Sequence, residues 1–402
     1  MKYLIVIGSG LTDRPIAEKD NLTPLQIADT PNLDKLAQSG NTGSVQTIPE
    51  NFEAGNDVSF LSLLGFQPET YHAGTAAFDA VALDVALAED EIPLCCSFVQ
   101  LQSSHNDMVM KDFTSGNLTS QDSRILLDAL QEQIGSDSVQ FHAGTGHHNL
   151  MVMKSAPFSE TLNPPQELIG EGIRQFMPEG DEFKELIFIM NQAQIILHNH
   201  PYNRKRQKEG QDAVNSVWLW GNGQRRALPS FSATHGKSSA LITSSLLFKG
   251  MGKSAGMHVV DPGGLNGNNP AGYQSAVESA LKELDAHDVV YLHIGDLEDS
   301  SLKGSLDDKV LGIEDFDNEV AGPLLDALKN RNDVKMLLTV NHVSSASLMK
   351  YTKDHVPFLI YPAGKDADAK SAPAFDEKIL DSGTNHFKDG PALLDAFLQD
   401  RL

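Results

Sequence analysis

Met1–Pro15 reads MKYLIVIGSGLTDRP. Within it Tyr3–Ile7 is a short apolar run rich in β-branched residues, and Gly8 and Gly10 close it. Such a run predicts a strand buried on both faces that ends in a tight loop. In an open α/β sheet the loop leaving the carboxyl end of a strand faces the ligand crevice. Ser9, in that loop, is therefore the first candidate residue; the plainer alternative is a first strand and its turn.

Moving outward, Thr30-Pro31 signals the start of a helix over Asn32–Gln38, which stops at Ser39-Gly40. Val45–Ile48 is expected as a second strand, and the loop Pro49–Gly55 runs into Asn56-Asp57 and an apolar helix over Val58–Leu64. A loop feeding a helix N-terminus is a place where phosphate can rest, which makes Asn56 the second candidate. From about Glu89 the texture changes to short alternating segments (Ser97–Leu101, Val139–His142, Leu150–Met153), with one helix over Ser120–Ile134 and the loop Asn163-Pro164-Pro165. A helix over Asp181–His198 follows, then the basic stretch Asn203–Arg206 and the aromatic run Val217–Gly223, with Trp218 and Trp220 expected on opposite faces of a strand. From about Lys237 the rhythm of strand and helix returns: strands over Ala240–Thr243, Val289–Ile294 and Lys335–Val340, helices over Ala276–Leu284 and Asp315–Lys329. This alternation implies a mostly parallel sheet covered by helices. The expected organisation is an α/β core formed by residues 1–88 and 237–402, with an α+β domain, residues 89–236, inserted into it.

The 402 residues are 40% hydrophobic and 21% charged, enough to bury a large core. A net charge of −23 argues against a nucleic-acid or anionic-membrane partner, since phosphate-rich surfaces repel such a field. Cys95 and Cys96 are the two cysteines, and sequence neighbours rarely form an unstrained disulfide, so a reducing, cytoplasmic compartment is expected. No apolar stretch approaches the ~20 residues needed to span a bilayer. Arg204, Lys205, Arg206, Lys208, Arg225, Arg226, Lys237, Lys249 and Lys253 fall in one stretch poor in acids, which points either to a phosphorylated small-molecule ligand or to a solvated face.

Several of these stretches recur together in a known family: KYLIVIG-x-G-x-x-DRP at the start, Thr23–Leu36, the Pro164-Pro165 loop, His200–Arg206, Asn215–Gly223, LPSF from Leu228, Lys249–Met257 and VPFLIY from Val356. The chain resembles the archaeal-type 2,3-bisphosphoglycerate-independent phosphoglycerate mutases of the alkaline phosphatase superfamily. The resemblance implies a phosphatase-like α/β core with an inserted substrate domain. It also implies two divalent metals, usually manganese, that activate a serine to take the phosphoryl group from one hydroxyl of glycerate and return it to the other.

Position by position, the resemblance implies departures. Ser9 stands where the family has a metal-binding Asp, and Asn56 in Gly55-Asn56-Asp57 stands where it has the nucleophilic serine. Glu298-Asp299-Ser300-Ser301-Leu302 replaces Asp-Glu-x-Gly-His, Asn341-His342 replaces Asp-His, and Tyr351 falls at the last metal histidine. A carboxamide is a poor nucleophile and Leu302 cannot ligate a cation. Among the substrate clamps, Thr75 and His148 stand where arginines are implied, and Cys95 replaces a third; Lys249, Asn203, Arg204 and Arg206 remain. The expectation is thus a scaffold that has lost two-metal phosphoryl transfer, holds no resident metal at Ser9, Glu298, Leu302, Asn341, His342 and Tyr351, and binds an anionic metabolite or a protein partner. The alternative is an active mutase or phosphohydrolase with a re-sited manganese or magnesium, held by Glu298, Asp296 or Asp299 and His342, with Ser9 as a displaced nucleophile. An unrelated metal site among His142, His147, His148, His198 and His200 is a third reading.

Overall fold

In the computed structural model, residues 1–104, 107–155, 158–223, 226–265, 270–362 and 372–402 are described. They divide into two compact units, one formed by 1–72 and 227–402 and the other by 73–226. The divisions fall after His72 and Arg226, not at 88/89 and 236/237. The earlier start of the second unit has a local cause: the helix Thr75–Ala82 packs against the long strand Glu91–Ser104.

In chain order the strands are β1 (Lys2–Gly8) and β2 (Asn41–Val45); then β3 (Glu91–Ser104), β4 (Asp107–Asp112), β5 (Val139–Thr145), β6 (His148–Lys154) and β7 (Ser216–Trp220); then β8 (Ser239–Ile242), β9 (His258–Val260), β10 (Val289–Ile294), β11 (Val334–Thr339), β12 (Val343–Ser345), β13 (Lys350–Thr352), β14 (Val356–Tyr361) and β15 (Asn385–Phe387). The first unit carries a sheet in the order β15-β2-β14-β11-β1-β10-β8-β9. β1 pairs in parallel with both β10 and β11, and β10 with β8; β14 runs antiparallel to β11 and β2. The expected mixed α/β architecture with a mostly parallel sheet is therefore the one observed. A strand with parallel partners on both sides and helices on both faces must be apolar throughout, and Leu4, Ile5, Val6 and Ile7 are each at most 1% exposed.

Some elements depart from expectation. Val45–Ile48 is mostly past the second strand, which is the polar but buried stretch Asn41–Val45, held by pairing to β14 on one side and β15 on the other. The helix Pro31–Gln38 takes no side-chain cap from Thr30. Its first amides donate instead to the carboxylate of Asp317, with Asn32 N at 3.1 Å and Leu33 N at 2.7 Å.

The second unit holds a sheet in the order β4-β3-β6-β5, with β7 added along β3. It is antiparallel throughout. Trp218 and Trp220, two residues apart on β7, share one face, because side chains alternate along a strand with period two. Trp218 Nε1 donates to Asn163 O and Trp220 Nε1 to Ser97 Oγ. No helix among the described residues is long and apolar enough to cross a membrane.

Candidate active site

The site is built at the carboxyl ends of the parallel strands of the first unit. Ser9 continues β1 by donating its backbone N–H to Ile294 O at 2.9 Å. Gly10 then turns with φ +90°, and a side chain there would come within 2.7 Å of the backbone nitrogen of Glu298. Only glycine allows so close an approach, and it seats the first loop against the short helix Glu298–Leu302. Asn56 is the first residue of the helix Asn56–Leu63, whose remaining turns, Val58–Leu63, are wholly buried. Asn341, His342 and Tyr351 arrive from the end of β11 and from β13.

These residues meet. Glu298 Oε2 accepts from Asn56 Nδ2 at 2.8 Å and from Tyr351 Oη at 3.2 Å, while Oε1 accepts from Asn341 Nδ2 at 3.1 Å. Asn56 Oδ1 accepts from Asn341 Nδ2 and lies 3.1 Å from His342 Nε2. Burial holds the carboxyl of Glu298 above its ordinary range, and the three donors offset only part of that rise. Burial also drives His342 from 6.5 down to about 3, so its ring is neutral at pH 7. Leu302 is buried and contributes no polar atom.

Ser9 has a different partner. Its hydroxyl lies 3.1 Å from His293 Nε2, and His293 Nδ1 lies 3.0 Å from Thr243 Oγ1. Thr243 Oγ1 already accepts the Ser245 N–H at 3.1 Å. The three side chains form a line across the ends of β1, β10 and β8, and Ser9 and Thr243 are fully buried. Phe248 packs against the imidazole at a tilt of 60°, with ring centroids 4.2 Å apart. From the sequence, His293 reads as a satisfied strand-end histidine rather than a base and Thr243 goes unnoticed, because both lie at the ends of runs that read as plain buried strands. The usable signal was a histidine inside the otherwise apolar run Val289–Ile294.

Of the expected substrate residues, Lys249 lies in the first unit, and Thr75, His148, Asn203, Arg204 and Arg206 lie in the second. Lys249 pairs with Asp261 at 2.6 Å. Asn203 and Arg206 are buried structural ties: Asn203 Nδ2 donates to Leu197 O and Val214 O, and Arg206 donates to Asp212 O and Ser115 O. Arg204 is exposed, and Arg225 lies outside the described residues. Of the basic stretch, Lys237 rests over the Tyr3 ring. Thr75 and His148 lie in the second unit, where His148 Nε2 is 2.6 Å from Asp79 Oδ2.

Comparison with known proteins gives this geometry its context. The family model for 2,3-bisphosphoglycerate-independent phosphoglycerate mutase matches residues 37–203. A protein of that name from Methanosarcina barkeri is 33% identical over 389 residues, covering 96% of both chains, and one from Methanothrix thermoacetophila is 33% identical over 395 residues, covering 98% of both. The chain belongs to the 2,3-bisphosphoglycerate-independent phosphoglycerate mutase family. Among solved structures, the PH0037 protein from Pyrococcus horikoshii shares the fold at a TM-score of 0.75 and 24% identity, over 100% of this chain and 98% of that one. The cofactor-independent phosphoglycerate mutase from Thermoplasma acidophilum does so at 0.55 and 24%, over 99% of each.

Family membership over the whole length overturns two expectations. The reading of a scaffold relieved of phosphoryl transfer gives way to the mutase reading, since relatives that match from end to end carry the mutase name. The expectation of no resident metal falls with it, because the family's phosphoryl transfer is metal-dependent and, among the described residues, Asp79, Cys95 and His148 already form a group able to hold a cation. The hydrogen-bonded cluster of Glu298, Asn56, Asn341 and His342 offers one carboxylate, two amide oxygens and one imidazole. Asn341 Oδ1 is buried there without a hydrogen-bond partner among the described residues. That set suits one hard divalent cation and is too poor in charge for two.

Proposed function

We propose that this chain is a phosphoglycerate mutase that works with one divalent cation of the manganese or magnesium class and uses Ser9 as its nucleophile. The observation that carries the reading is the line Ser9–His293–Thr243 at the strand ends of a chain that matches a relative of the mutase name over 96% of both lengths. Glu298, Asn56, Asn341 and His342 would hold the cation, which supplies charge neutralisation for the phosphoryl group.

The chain's own residues supply the proton chemistry. Ser9 Oγ attacks phosphorus as the bond from phosphorus to the glycerate oxygen breaks. The hydroxyl proton passes to His293 Nε2 and from there to the departing glycerate oxygen. The reverse sequence, with the other glycerate hydroxyl attacking phospho-Ser9, completes the exchange with no net gain or loss of protons. His293 is a weak base in its resting state, so it takes the proton only as charge develops, and Thr243 holds its ring in the required tautomer. A phosphorylated three-carbon acid is the substrate class this implies. The unbridged Cys95 and Cys96 support a cytoplasmic setting.

The test is a coupled assay of 3-phosphoglycerate conversion to 2-phosphoglycerate in added manganese, on the native chain and on Ser9→Ala. Turnover in the native chain that falls at least about 100-fold in a folded Ser9→Ala variant is the expected result. Undetectable native turnover, or full activity in Ser9→Ala, overturns the reading.

A further inference from the structure

The second unit contains a polar cluster that the chemistry above does not use. Asp79, on the helix Thr75–Ala82, has a wholly buried side chain, and its Oδ2 receives both His148 Nε2 at 2.6 Å and Cys95 Sγ at 3.2 Å. Its other oxygen, Oδ1, is buried with no hydrogen-bond partner among the described residues. The sheet explains the meeting. Cys95 and Ser97 share a face of β3, and His148 sits opposite Ser97 on β6, so imidazole and thiol project to the same side, under the helix that carries Asp79. Cys96 points to the other side, where burial pushes its thiol up to about 12.

We infer that Asp79, Cys95 and His148 form a binding site for a borderline-soft divalent cation of the zinc class, with one coordination position open to an anion. The ligand set mixes carboxylate, thiolate and imidazole, which suits zinc and disfavours magnesium. The three ligand atoms lie within 4.8 Å of one another. On a tetrahedral cation with zinc-like bond lengths, neighbouring ligand atoms sit about 3.3–3.7 Å apart, so the imidazole and carboxylate need to part by less than about 1 Å. The Asp79 Oδ1 is a carboxylate oxygen whose acceptor capacity the described residues do not fill.

Room is provided beside the sulfur. Gly221 adopts φ +60°, and a Cβ there would come within 3.2 Å of Cys95 Sγ and of Thr75 Cβ. Three protein ligands leave a tetrahedral zinc one position short, and His148 is partly open to solvent, so a phosphate or carboxylate oxygen can complete the shell. On binding, the Cys95 thiol proton leaves to solvent, and His148 coordinates through Nε2 with its ring proton on Nδ1. All ligands belong to the inserted unit, so this inference stands apart from the reading of Ser9.

Cobalt(II), a spectroscopic stand-in for zinc, tests it on the full-length protein. One equivalent should bind with near-ultraviolet thiolate-to-cobalt absorption and the intense visible bands of a tetrahedral ion. The thiolate absorption should vanish in Cys95→Ser, persist in Cys96→Ser, and need at least about 10-fold more cobalt in His148→Gln, a change at a partly exposed side chain that keeps an N–H donor for Asp79. Inorganic phosphate should shift the visible bands if the fourth position is open, and bands indifferent to phosphate overturn that part. Cobalt bound without thiolate absorption, or an absorption that survives Cys95→Ser or is unmoved in His148→Gln, overturns the site.

Discussion

At pH 7 the imidazole of His293 is neutral, because burial pushes its pKa from 6.5 to about 3, and its two nitrogens are divided between one donor and one acceptor. In the proposed mechanism Thr243 accepts from Nδ1–H, which leaves the Nε2 lone pair facing Ser9. Thr243→Val removes that oxygen at nearly constant volume. It should lower kcat about 10-fold to 100-fold while leaving KM within about twofold, measured with 3-phosphoglycerate in the coupled assay. An unchanged kcat would remove Thr243 from the chemistry. The same burial makes stability depend on pH. His293 and His342 are both held neutral, at about 3 against 6.5, so the unfolded chain binds more protons and stability falls as pH drops from about 6.5 toward 3. Each contributes a slope of about 1.4 kcal/mol per pH unit in that window. Glu377 acts the other way: burial raises its carboxyl from 4.5 to about 7, so its contribution is full below 4.5 and is lost as pH rises through 7. Between 4.5 and 6.5 it offsets one histidine. Urea unfolding across that range should therefore show a steeper loss toward acid for Glu377→Gln than for the native chain; parallel curves would mean the carboxyl titrates alike in both states.

Among the elements, the helix Pro31–Gln38 shows how a remote residue can complete a local structure. Its N-terminal amides donate to Asp317, a residue of the π-helical turn Asp317–Ala321, and Asn32 Nδ2 adds a further bond at 2.9 Å. Asp317→Ala removes a cap and leaves buried amides unpaired, so thermal or urea unfolding should show a loss of about 2–3 kcal/mol, where Thr30→Ala costs under about 0.5 kcal/mol. Equal effects would return the cap to Thr30. This capping was not legible in the sequence, because propensity rules look only a few residues either way. What was legible followed from uniform burial: Val289–Ile294 and Tyr3–Ile7 are apolar since helices and strands surround them. The strand Asn41–Val45 was displaced in the reading because its residues are polar and it owes its conformation to its partners. At the site, Asn56, Glu298, Asn341, His342 and Tyr351 could be placed together through the family resemblance. Asp79 and His293 could not, since single polar residues inside apolar segments carry no spacing to read.

Across the whole first unit, one buried ion pair ties separate loops together. Lys309 has no exposed side-chain surface, and its ammonium donates to Thr12 O at 3.0 Å, Asp13 Oδ2 at 2.8 Å and Ser344 O at 2.6 Å. All its protons are used, and burial still lowers its pKa despite the neighbouring carboxylates. Lys309→Met strands Asp13 as an uncompensated charge and should cost about 3–5 kcal/mol in urea unfolding, and adding Asp13→Asn should recover part of it. A double variant less stable than Lys309→Met would contradict this. The placement of β1 carries a consequence for how the molecule is made. Its neighbours on either side are supplied by residues 289–294 and 334–339. A chain emerging from the ribosome therefore presents the greasy stretch Lys2–Gly8 long before its neighbours exist to cover it, whereas the stretch 73–226 closes on itself before they appear. Assembly is thus pushed into a sequence, the insertion first and its host last, and the early segment is the one for which a holding chaperone has work to do.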